Sequence, residues 1–194
     1  MSQRVSALLA TVTVIASLAG GAGLAHAQNG PISEVRVGVL EHDTDLIGTN
    51  KEGGVDLAFE VLSQPVQALD FIGAPRVVGG LILNSDDYTN QAYVGLLAQR
   101  DIATSVFSAD DAFYIEGLVA VGYHDGKLDV TGTPEEDEWK SHGSNWVFRT
   151  GFGVGYRFNE TISLTATFAH ISNAELAQPN EGSNDVGLRL GWRL

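Results

Sequence analysis

Trp146-Val147-Phe148-Arg149-Thr150-Gly151-Phe152-Gly153-Val154-Gly155-Tyr156-Arg157-Phe158 alternates in character along its length. Successive side chains of an extended strand point to opposite faces. One face therefore carries Trp146, Phe148, Phe152, Val154, Tyr156 and Phe158, and the other Arg149, Gly151, Gly153, Gly155 and Arg157. A soluble sandwich would bury the aromatic face and wet the arginines. A membrane barrel reverses this: the aromatic face meets lipid, and small and long polar side chains share the lumen. Which face is dry decides the fold.

Seven further stretches have strand character, with Gly/Asp/Asn-rich turns between them. They are Ser33 to His42, Gly54 to Leu62, Pro75 to Leu83, Tyr88 to Gln99, Asp111 to His124, Ile162 to Ser172 and Asn184 to Leu194; the third and fourth alternate less regularly. Three features favour the barrel. Most strands approach the roughly 9–11 residues that cross a bilayer at a tilt. Trp146, Tyr156, Phe158 and Trp192 sit toward the ends of apolar runs, as interface girdles do. Asp56, Glu60 and Glu116 are available on the polar face to pair with Arg36, Arg149, Arg157, Arg189 and Arg193. The expected fold is all-β, an eight-stranded antiparallel transmembrane β-barrel with a packed interior and no pore. A soluble eight-stranded lipid carrier is the alternative.

Residues 1–27 read as a secretory signal peptide: Arg4, an apolar run from Val5 to about Leu18, then small residues ending in Ala25-His26-Ala27. An uncleaved membrane anchor is the other reading, and residues 28–194 form the barrel domain. With no cysteine, the fold does not depend on disulfides. A formal net charge of −13, which loss of Arg4 makes more negative still, disfavours nucleic acid as a partner. The acidic tract from Thr133 to Glu138 reads as a solvated loop. Gly151-Phe152-Gly153-Val154-Gly155 is no phosphate loop, because no helix follows it. No metal site and no cofactor is expected.

The chemistry lies in the seventh stretch. His170 and Ser172 are two residues apart, so they share a face with Ile162, Leu164, Ala166 and Phe168. A base beside a hydroxyl is the minimum equipment for nucleophilic catalysis, and here it faces lipid near a membrane boundary, where polar groups tend to mark function. A strand end reaching the interface is the plainer reading. Asn184, at the start of the next strand, has the outward parity of Val186 and Leu188 and can reach His170. An amide oxygen can hold an imidazole in the tautomer a general base needs. Glu181, in the turn, and Asp185, of lumenal parity, are the acids that follow it as candidates. His42-Asp43 and His124-Asp125 fall at strand ends and read as turn chemistry, and His142 lies in a polar loop.

His170-Ile171-Ser172-Asn173-Ala174, followed by Pro179-Asn180-Glu181-Gly182-Ser183-Asn184, resembles the C-terminal signature of PagL-type lipid A deacylases, barrels of the acyloxyacyl hydrolase family. Looser echoes are Glu34 to Asp43 and Phe113 to Gly126. The resemblance implies that His170 is the base, Ser172 the nucleophile and Asn173 the motif asparagine. It also implies an oxyanion hole from Asn180 and a backbone N–H near Ala174. Family members carry a glutamate where this chain has Asn184, and an outer-membrane strand usually ends in an aromatic where this chain has Leu194. The implied activity is removal of an ester-linked acyl chain from lipid A, typically at its 3-position, in the bacterial outer membrane. The implied partners are lipopolysaccharide and outer-membrane lipids, with a homodimer as an option. A non-catalytic structural or adhesive barrel is the competing reading.

Overall fold

A computed structural model describes residues 30–46 and 48–194; the segment read as a signal peptide lies outside them. Eight strands follow in order: β1 Ile32–Glu41, β2 Val55–Pro65, β3 Arg76–Asn84, β4 Gln91–Thr104, β5 Ala112–His124, β6 Trp146–Arg157, β7 Ile162–Ser172 and β8 Ser183–Arg193. Each pairs antiparallel with its neighbour, and β1 pairs with β8 from Glu34↔Arg193 to Glu41↔Val186, which closes the barrel. A short 3-10 segment, Gln67–Ile72, bridges β2 and β3.

Exposure settles which face is dry. Phe152 is 53% and Val119 61% exposed, whereas Arg149 is 0% and Glu60 3%. The outer wall is a belt of valine, leucine and phenylalanine, and the charges are inside. Such a wall is complementary to lipid and not to water. The arginines are stable there only because each is paired. Arg36 donates from Nη1 to both oxygens of Glu116 at 2.9 and 3.0 Å and from Nε to Glu34 at 2.6 Å. Arg189 Nη1 donates to Thr167 Oγ1 at 2.8 Å, and the Tyr93 hydroxyl bonds Glu60. Glycines make the room: a Cβ at Gly80 or Gly155 would collide with the rings of Tyr93 or Tyr114. A packed ionic interior is not the apolar cup of a soluble lipid carrier, and that alternative fails.

The lumen is less uniformly polar than the alternation of β6 implies. Leu40, Leu62, Val78, Ile82, Leu97 and Leu118 form an apolar cluster inside the wall made by β1 to β5. Strands β3 and β4 therefore bury apolar side chains on the inside while presenting apolar ones outside, which is why their periodicity is weak. β4 also runs to Thr104, past the expected Gln99, paired with the start of β5 across a register shift between Asp101 and Ala103.

Candidate active site

Along β7, Ser163, Thr165, Thr167, Ala169 and Ile171 are buried in the lumen, while Leu164, Ala166, Phe168, His170 and Ser172 lie on the outer face. His170 stands directly opposite Asn184 in the β7–β8 register. Its Nδ1 is 2.8 Å from Asn184 Oδ1. An amide oxygen only accepts, so the imidazole proton sits on Nδ1 and the Nε2 lone pair is left for base chemistry. Gly182 makes room for the ring: a Cβ there would lie 2.5 Å from His170 Cε1 and 3.0 Å from Nε2.

Ser172 is two residues on, on the same face, opposite Phe148 of β6. Its hydroxyl makes none of the hydrogen bonds found among the described residues. Two strand steps separate the Cα atoms of His170 and Ser172 by about 6.6 Å, a gap that rotamers of the two side chains can close. Catalytic hydrogen bonds are often long before substrate binds.

The loop from 173 to 182 is tied from within. Asn173 is buried, and its Nδ2 donates to the carbonyls of His142 at 2.8 Å, Ala177 at 2.9 Å and Pro179 at 3.3 Å. Its backbone N–H donates to Asn180 Oδ1 at 2.9 Å. Ala174 and Glu175 both take positive φ, 55° and 63°, which turns the chain sharply outward after Asn173. Asn180 Nδ2 donates to Glu175 Oε1 at 3.0 Å, leaving its second hydrogen for another acceptor. The hydrogen bonds from Asn180 and Gln178 hold the Glu175 carboxyl below its usual range.

The two acids considered as partners for His170 are occupied elsewhere. Glu181 accepts from Lys51 Nζ and from the Ser141 N–H, each at 2.7 Å, tying this loop to the β1–β2 and β5–β6 loops. Burial alone would raise the Glu181 carboxyl, but Lys51 and the Ser141 N–H hold it low. Asp185 points into the lumen, where Arg149 Nη1 donates to its Oδ2 at 2.8 Å. Of the three candidates, Asn184 alone bonds the ring.

The other histidines are not ordinary turn residues. His42, His124 and His142 are all buried. His42 bonds Asp56 through Nδ1 and Glu52 through Nε2, each at 2.9 Å. Burial would lower its pKa, but these carboxylates raise it to about 10. His142 packs edge-on against His124 with ring centroids 4.4 Å apart. No sequence pattern marked Glu175 or the contacts of Ser141 and Lys51, because loop-to-loop bonds have no periodicity.

The family profile described as lipid A 3-O-deacylase (PagL) matches residues 84–193, more than half of the chain, including β4 to β8 and the His170–Asn184 segment. No curated protein matches the chain. Among solved structures, the outer membrane enzyme PagL superposes with a TM-score of 0.58 at 15% identity, covering 82% of this chain and 98% of that one. The N-terminal β-barrel domain of Pseudomonas aeruginosa OprF gives 0.47 at 10% identity, covering 84% and 98%. The Yersinia pestis outer membrane protein Ail gives 0.38 at 14%, covering 84% and 99%. The first of these supports the barrel fold, and the profile match, running through the histidine, the serine and the asparagine turn, assigns the chain to the lipid A 3-O-deacylase (PagL) family of ester hydrolases.

Proposed function

We propose that this chain is an outer-membrane serine esterase that removes the acyl chain ester-linked at the 3-position of lipid A. The observation that carries the reading is the His170–Asn184 pair at 2.8 Å, in which a buried amide supports a half-exposed imidazole, with Ser172 on the same outer face as His170. A nucleophile on the outside of a barrel meets only substrates that share the bilayer. The connections after β5 and β7, 125–145 and 173–182, and the described part of the one after β1 lie at the site end, with the start of β1 and the end of β8 at the other. Outer-membrane barrels put long loops outside the cell and short turns in the periplasm. This orientation brings Ser172 to the leaflet that contains lipid A.

His170 Nε2 takes the proton of Ser172 as Oγ attacks the ester carbonyl. The free N–H of Asn180 Nδ2 and a backbone N–H near Ala174 receive the charge on the carbonyl oxygen. His170 returns the proton to the departing sugar oxygen, and the acyl chain stays on Ser172. Water activated by His170 then releases the fatty acid and restores the hydroxyl. Asn173 takes no direct part; its buried amide holds the loop that presents Asn180. Acyl chains lie against Ala166, Phe168 and Leu188 on the outer wall, and cleavage of the signal segment precedes insertion.

Purified protein mixed with lipopolysaccharide, followed by mass spectrometry of the lipid A, tests the reading. Loss of one 3-linked acyl chain, abolished by Ser172→Ala in a correctly folded barrel, is expected. Unchanged lipid A would leave a structural or adhesive barrel.

A further inference from the structure

The acid next to Asn184 belongs to a second constellation, inside the barrel wall. His42 follows the end of β1, Asp56 lies at the start of β2 and Asp185 at the start of β8. His42 Nδ1 is 2.9 Å from Asp56 Oδ2 and 3.8 Å from Asp185 Oδ1, and one ligand atom from each residue lies within 4.8 Å of the others. All three residues are buried. His42 Nδ1 and Asp56 Oδ2 bond each other, and the second polar atom of each of the three residues is engaged elsewhere. His42 Nε2 meets Glu52 at 2.9 Å, Asp56 Oδ1 accepts from Asn84 Nδ2 at 2.9 Å, and Asp185 Oδ2 accepts from Arg149 at 2.8 Å. Asp185 Oδ1, in contrast, is buried without a hydrogen-bond partner among the described residues. A buried oxygen without a hydrogen bond is costly, and this one lies 3.8 Å from His42 Nδ1, beside the His42–Asp56 pair.

We propose that His42, Asp56 and Asp185 form a binding site for a divalent transition-metal ion of the zinc class. A ligating imidazole characteristically gives its other ring N–H to a carboxylate, which Glu52 supplies, and ligating carboxylates are themselves hydrogen-bonded, as these are by Asn84 and Arg149. His42 Nδ1 is close enough to Asp56 Oδ2, at 2.9 Å, and to Asp185 Oδ1, at 3.8 Å, for each pair to share a centre about 2.0–2.2 Å away, and small side-chain shifts bring the two carboxylates to the same centre. The imidazole favours zinc over calcium or magnesium, which prefer oxygen alone. The carboxylates of Asp56 and Asp185 offset the charge of the ion, while Arg149 stays hydrogen-bonded to Asp185 Oδ2. Zinc and a proton compete for Nδ1. The ion joins the ends of β1, β2 and β8 behind Asn184, whose carbonyl also accepts from the Thr44 N–H at 2.7 Å. It is a structural brace, separated by the barrel wall from the ester chemistry, and it does not depend on the deacylase reading.

The test is zinc content of the full chain refolded in detergent at about pH 8 with zinc present, then gel-filtered and measured by elemental mass spectrometry. Expected are about one zinc per chain and a higher unfolding temperature than after refolding with chelator. Asp56→Asn and His42→Gln should retain less than about a tenth of that zinc, while His170→Ala retains it all. Heat-modifiable gel mobility reports whether each variant folds. Wild-type protein refolded with cobalt gives a second reading, visible absorption bands from a nitrogen- and oxygen-ligated ion. Less than about a tenth of an equivalent of zinc in the wild type, absent cobalt bands, or full zinc in folded Asp56→Asn and His42→Gln barrels overturns the proposal.

Discussion

Nδ1 of His170 is bonded to the amide oxygen of Asn184, not to a carboxylate, at 2.8 Å. The amide sets the tautomer of the ring. It gives little help once the ring becomes charged, because a neutral dipole offsets an imidazolium far less than an anion does. Asn184→Glu should therefore raise kcat by roughly tenfold, and Asn184→Leu should lower it by roughly a hundredfold. Steady-state rates on lipopolysaccharide in detergent decide the matter. An Asn184→Leu enzyme as fast as wild type would remove Asn184 from the mechanism.

Glu175 places a solvent-exposed carboxylate on the amide of Asn180 at 3.0 Å. A negative charge next to the donor of an oxyanion hole opposes the charge that develops there. Glu175→Gln keeps an acceptor for Asn180 and removes the charge, so kcat should rise about two- to fivefold with KM little changed. A fall in kcat would mean that the carboxylate serves mainly to orient the amide.

Gly182 lies against the imidazole with no space for a methyl group. Gly182→Ala should displace the ring from Asn184 and out of reach of Ser172, and cut kcat by about a hundredfold, the usual scale for a misplacement near 1 Å, without changing heat-modifiable mobility. Full activity in that variant would mean that the imidazole does not need the space beside Gly182.

His142 supplies a pH dependence of stability. Burial first, and then the neighbouring His124, lower its pKa from 6.5 to about 4, against the opposing pull of Glu52; His42 adds to the lowering. In the unfolded chain the imidazole titrates near its ordinary value of about 6.5. Between those values the unfolded state binds the extra proton, so stability falls as pH drops from about 6.5 toward 4, by at most about 1.4 kcal/mol per pH unit. Unfolding temperatures at pH 7 and pH 5 should differ less in a folded His142→Leu barrel than in the wild type. Equal differences would assign the acid sensitivity to other groups.

How far the residues alone reached follows from what alternation encodes. Period-two patterning in β6, β7 and β8 is enough to place Arg149 inside, Phe152 outside, and His170, Ser172 and Asn184 together on the outer wall, because a strand allows only two directions for a side chain. Alternation failed in β3 and β4, where Val78 and Ile82 pack in the lumen while Leu81 and Leu83 face outward. The motif around His170 and Asn180 carried the chemistry as a resemblance. Distances between chain segments far apart in sequence have no such signature. Barrel closure, which brings β1 alongside β8, set Lys51 against Glu181 and His42 against Asp185, and loop packing at the same end set His142 beneath Asn173. Those contacts join residues as many as 143 positions apart, from His42 to Asp185, and no local rule links side chains that meet only after the sheet has closed on itself.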